Sequence, residues 1–120
     1  MNAIAGSLLI LFLSAEPFIP PKTPYYPPKT VPINSNQKCD WGTVVAVDAA
    51  LSQLRMKAAD GLVTFQVSAQ APVIGTDGKQ AGTVAGLNVG TRIRVYYVVD
   101  DGAKVQEVDL CASEQECPLP

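Results

Sequence analysis

Arg92, Arg94 and Tyr96 recur at every second position of a run in which Ile93, Val95 and Tyr97 fill the places between. Side chains two residues apart share one face of a β-strand, so this alternation predicts a strand with one face in a core. The apolar set must take the core, because a slip of one residue would bury two arginines without partners. Two guanidinium groups and a phenol then stand together on the outer face, where they can stack on rings and make charge-assisted hydrogen bonds. Trp41 joins them from a neighbouring strand, with Arg55 and Lys57 as further cations. A solvated strand face has the same pattern, so these residues mark a candidate partner-binding surface and no reaction.

The remaining reactive groups support no catalytic centre. The chain has no histidine, which excludes Ser-His-Asp, Cys-His and His-ligated zinc chemistry within it. Asp60, Asp77, Asp100 and Asp101 each sit in an Asp-Gly or Asp-Asp-Gly turn sequence, and turn formation accounts for them. They lack the alternating acids and closing glutamate of a calcium loop, and no metal or cofactor is expected. Three cysteines, Cys39, Cys111 and Cys117, flank the β-patterned region. Cys111 and Cys117 do not have Cys-x-x-Cys spacing, so a disulfide is expected from two of the three rather than a redox pair or zinc knuckle. Cys39–Cys117 and Cys111–Cys117 both rank above Cys39–Cys111. The formal charge of -2 offers no counter-charge for a polyanion, which argues against nucleic acid.

Ahead of this region lies a seven-residue near-repeat, Phe18-Ile19-Pro20-Pro21-Lys22-Thr23-Pro24 followed by Tyr25-Tyr26-Pro27-Pro28-Lys29-Thr30-Val31. Proline fixes φ and removes the backbone donor, so this arm is expected to run extended, as a spacer or a docking strip. Phe18, Tyr25 and Tyr26 are poor residues for a solvated tether, and they join the candidate partner-binding set. Residues 1–15 carry an apolar run at 8–13 and end Leu13-Ser14-Ala15, which suits a cleaved export signal. Retained, the leader would be a membrane or partner anchor, or would pack within the fold. Glu16 and Pro17 make it too short for a transmembrane helix.

From Trp41 onward, short apolar runs separated by glycine turns predict an all-β domain. Strands are expected at residues 42–47, 53–58, 62–68, 91–99 and 103–110. In the last of these the inward set slips from Val105 to Val108 and Leu110, which predicts a β-bulge near Gln106 or Glu107. Residues 69–90 are too long for a hairpin loop and should carry a flap hairpin at Val73-Ile74 and a short helical turn within 83–88. Three strands, an insertion with a helical turn and two more strands is the order of a five-stranded OB-like barrel. The segments Gly42-Thr43-Val44-Val45-Ala46-Val47-Asp48, Asp60-Gly61-Leu62-Val63-Thr64-Phe65-Gln66-Val67 and Leu87-Asn88-Val89-Gly90-Thr91-Arg92-Ile93-Arg94-Val95-Tyr96-Tyr97 resemble the small OB-like domains of unknown function found in bacterial exported proteins. That resemblance covers about residues 41–110 and implies a fold without catalytic residues.

The sequence thus divides into a leader at 1–15, a proline-rich arm at 16–38, an OB-like barrel at 39–117 and a tail at 118–120. It reads as a non-enzymatic exported protein, periplasmic, surface-bound or extracellular, that works as an interaction or structural module. A protein partner or self-assembly is expected, as in an envelope, filament or virion subunit. The alternative is a soluble barrel binding a glycan, peptide or oligonucleotide.

Overall fold

The computed structural model describes residues 26–111 and residue 117. The leader, Phe18 and Tyr25 lie outside the described residues. Seven strands form one sheet: β1 (Lys38–Asp48), β2 (Gln53–Ala58), β3 (Gly61–Gln66), β4 (Pro72–Ile74), β5 (Gln80–Thr83), β6 (Arg92–Val99) and β7 (Ala103–Leu110). Strand order is β3-β2-β1-β6-β7-β4-β5, and a further β3–β7 pairing closes five of them into a barrel. The closing pair is parallel, at Gln66 and Lys104, and every other barrel pair is antiparallel. This is the OB-like strand order, β1-β2-β3-β7-β6 and back to β1. β4 runs beside the end of β7 and pairs with β5, so the flap hairpin extends the sheet past the barrel.

Alternation builds the core. Leu54 and Met56 of β2, Phe65 of β3, Ile93 and Val95 of β6 and Val108 of β7 all point inward and are buried with Val44. Tyr97 meets Phe65 edge to face, ring centres 5.0 Å apart. The expected helical turn is a single 3-10 turn, Val84–Gly86, which seats Val84 fully in the core. β1 begins at Lys38, earlier than its apolar run, because residues 38–43 find their partners on β6 and 43–48 on β2. At Gly42 the chain passes so close to β2 that a Cβ would lie 2.1 Å from the Lys57 carbonyl oxygen.

Two bulges bend the sheet. In β1, Val45 is the extra residue between the Val44–Met56 and Ala46–Arg55 pairs. In β7, Gln106 is the extra residue between the Tyr96–Glu107 and Tyr97–Val105 pairs, where the phase slip predicted one. The second bulge has a chemical consequence. It returns Val108 to the core and turns Glu107 and Asp109 to the outer face.

Cys111 and Cys117 form a disulfide, with Cα atoms 5.9 Å apart. Cys39 is free, so the Cys39–Cys117 alternative is not the pairing found. Cys39 pairs across β1 and β6 with Tyr96, whereas Cys111 lies beyond the end of β7, beside Arg92. The closed loop is the short local one.

Candidate functional site

Strand register sets the outer face of β1, β6 and β7 as a grid. One row runs Trp41, Arg94, Asp109, and the next runs Cys39, Tyr96, Glu107. Each strand contributes residues two apart, so all six side chains share the outer side of the barrel. The arm lies across this grid. Tyr96 Oη donates to the Tyr26 carbonyl at 2.6 Å, and the Tyr26 ring covers the Arg94 guanidinium at 4.7 Å from its centre. The Trp41 ring holds the same guanidinium at 5.2 Å. Arg94 thus sits between two aromatic faces, an arrangement suited to a buried cation.

Glu107 holds the arm by its backbone. Lys29 N donates to Oε2 at 2.7 Å, Thr30 N to Oε1 at 2.7 Å and Val31 N to Oε1 at 3.1 Å. Thr30 Oγ1 donates to Oε1 as well. Pro27 and Pro28 have no N–H to satisfy, so Lys29 supplies the first amide N–H after them. Beside Glu107, Asp109 Oδ2 accepts from Lys29 Nζ at 3.3 Å. Downstream, Gln37 Nε2 donates to the Pro32 carbonyl and to Gln106 Oε1, which fixes the path from arm to β1.

This arrangement corrects one expectation. Arg94 and Tyr96 are on the outer face, but they are 1 % and 0 % exposed, because the arm covers them. A free partner cannot reach them while the arm is docked. Arg92 is half-buried, its Nη1 directed at the Cys117 carbonyl at 3.5 Å. Arg55 and Lys57 are exposed on β2, away from the grid. Tyr26 is part of the assembly. The residues that sequence reasoning passed over are Glu107, Asp109, Lys29 and Thr30. Their only sequence signal was the pair of carboxylates two apart in a strand whose inward set slips phase.

Comparison with known proteins finds no matching family model, no matching curated protein and no matching solved structure. The site's chemistry must therefore be read from its own groups.

The charges of the grid are unequal. Burial pushes the Asp109 carboxyl up to about 7, helped by its hydrogen bond to Glu107 and by that residue's charge, and Lys29 only partly opposes this. Burial also works to raise Glu107, but hydrogen bonds from Asp109, Thr30 and the Lys29 amide outweigh it and hold Glu107 below its ordinary value. Asp109 Oδ1 meets no donor among the described residues, so a proton on this carboxyl gives the pair its mutual hydrogen bond. Burial raises Cys39 more than the neighbouring Arg94 lowers it, which keeps the thiol protonated and a poor nucleophile at neutral pH. Tyr96 is likewise raised by burial, so its hydroxyl remains a donor. Arg94 Nε and Nη2 find no acceptor among the described residues, and Nη1 meets only the soft Cys39 sulfur at 3.7 Å. Among the described residues no three His, Cys, Asp or Glu side chains group to hold a metal ion. Two open grooves among the described residues, one beside residues 34–38 and 98–100 and one under the flap at Val73, Leu87 and Thr91, lie off the grid. What the grid holds is a proline-containing segment that, contrary to the extended run expected of it, bends at residues 29–31 so that three successive amides face one carboxylate.

Proposed function

We propose that this chain is a non-enzymatic exported interaction module, an OB-like barrel whose outer face is a receptor for a proline-rich segment that bends at residues 29–31. The observation that carries the reading is the clamp at Glu107, one carboxylate taking three successive backbone amides and a hydroxyl from the arm. Capture of successive amides by one carboxylate is a peptide-recognition mode, because the bend at 29–31 turns those N–H groups to one side and the two prolines ahead of it leave the segment less conformational freedom to lose. The Cys111–Cys117 disulfide supports export, since such bonds persist in oxidising compartments. An arm that reaches its own barrel can reach a neighbour's by the same contacts, which is how a structural subunit would use it. The test is the native mass of the full-length protein over a concentration series, beside Glu107→Ala. Multimers that dissociate in the variant support the structural role. A monomer at every concentration, with the arm still docked, reduces the arm to an intramolecular strap.

A further inference from the structure

We infer that the cradle has a second ligand in the same chain, the first copy of the repeat, residues 18–24. The inference rests on the reading of the outer face as a peptide receptor and identifies what else it takes. Aligning the copies places Ile19 at Tyr26, Pro20 and Pro21 at Pro27 and Pro28, Lys22 at Lys29, Thr23 at Thr30 and Pro24 at Val31. Each feature the cradle reads can then be checked in turn. The backbone carbonyl that accepts from Tyr96 is present at Ile19. The two prolines without N–H recur. Lys22 supplies an amide and an ammonium for Glu107 and Asp109, as Lys29 does, and Thr23 supplies an amide and a hydroxyl, as Thr30 does.

Two features differ, and both weaken the first copy. Pro24 has no N–H to replace that of Val31, so one hydrogen bond to a carboxylate is lost, roughly a ten- to hundred-fold effect. Ile19 has no ring to lay over Arg94. Docking the first copy also lengthens the connection to β1 at Lys38 from seven residues to fourteen, and a doubled loop costs only about three-fold. The second copy is therefore the resident and the first a minor occupant, separated chiefly by two side chains rather than by reach. A segment so close in the chain competes at high effective concentration, which favours the same chain over a second copy of the protein.

Ile19→Tyr with Pro24→Val in the full-length protein gives the first copy the ring and the amide it lacks, and touches no residue of the barrel. Only the loop term should then separate the two registers, and about a quarter of the molecules should dock residues 18–24. Amide hydrogen exchange reads the register directly. In the natural sequence the amides of 29–31 should be protected; if they exchange as free peptide, the receptor reading itself is wrong. In the variant, 22–24 should become measurably protected and protection at 29–31 should fall below about ten-fold, unchanged on dilution. Unprotected 22–24 with undiminished protection at 29–31 overturns the second register. Protection at 22–24 that vanishes on dilution assigns it to a neighbouring molecule and overturns the intramolecular source.

Discussion

Glu107 and Asp109 stand two residues apart on the outer face of β7, almost wholly buried, and divide the arm between them: Glu107 takes its backbone and Asp109 its lysine. Two carboxylates this close resist double ionisation, and of the two it is Asp109 that burial and the Glu107 charge push upward.

Docking should therefore depend on pH in a defined direction. Asp109 is raised from 3.8 to about 7, so its contribution is full below the lower value and is lost as pH rises through 7. Glu107 is lowered from 4.5, so its contribution is present above that value and lost as pH falls through its folded value. Lys29 and Arg94 face the pair as cations, and Tyr96 and Cys39, both raised, stay neutral across this window. The arm should be held most firmly near pH 4.5, loosen progressively as pH rises to about 7, and change little from this group above that. Trp41 is the single tryptophan and lies against the guanidinium that Tyr26 covers, so its quenching by acrylamide reports docking. Asp109→Asn should remove the loosening between about pH 4.5 and 7, and a variant that keeps it points to another group.

Removing the clamp should free the arm without unfolding the barrel. Glu107→Ala deletes an acceptor of four hydrogen bonds, and on the scale of charge-assisted bonds, which do not simply add, docking should weaken by about 3 kcal/mol. Trypsin should then cleave after Lys29 many times faster, while far-ultraviolet dichroism stays unchanged. Equal cleavage rates in the two proteins would mean that the clamp contributes little.

How far this was legible in the chain differs by residue. The alternation in β6 placed Ile93 and Val95 inward, and the slip from Val105 to Val108 predicted a bulge near Gln106 or Glu107, which falls at Gln106, because both are local patterns of a two-residue period. Val99, the next position of the same two-residue period, is exposed, since the strand outruns the core there. The cover over Arg94 and Tyr96 was not legible. It depends on Glu107 meeting Thr30, 77 residues away in sequence, and no periodicity records a contact of that span. The arm's aromatic and proline content pointed to a docking strip but not to its address.

Arg94 separates packing from charge. Its Nε and Nη2 lack acceptors, so an apolar side chain of similar length can replace it at small cost, whereas truncation leaves a cavity between two rings. Arg94→Met should lose less than about 1.5 kcal/mol and Arg94→Ala about 2–4 kcal/mol in urea unfolding. Val95→Asp, one residue along and facing the core, should not fold, because it buries an unpaired charge. A tolerated Val95→Asp would show the register of β6 to be wrong.

The disulfide anchors the end of β7 and, through the Cys117 carbonyl, the Arg92 guanidinium at the margin of the cradle. Its loop is short, with a sequence separation of 6, so the chain-entropy contribution is small for a disulfide, about 2 kcal/mol. Peptide mapping without reduction should find Cys111 joined to Cys117 and Cys39 as a thiol that alkylates slowly, since burial raises its pKa. Because Cys39 pairs with Tyr96 under the arm, Glu107→Ala should speed that alkylation, whereas Cys111→Ser with Cys117→Ser should lower the melting temperature with far less effect on it. Alkylation of Cys39 at the same rate in the natural and Glu107→Ala proteins would mean that the arm does not control access to this part of the grid.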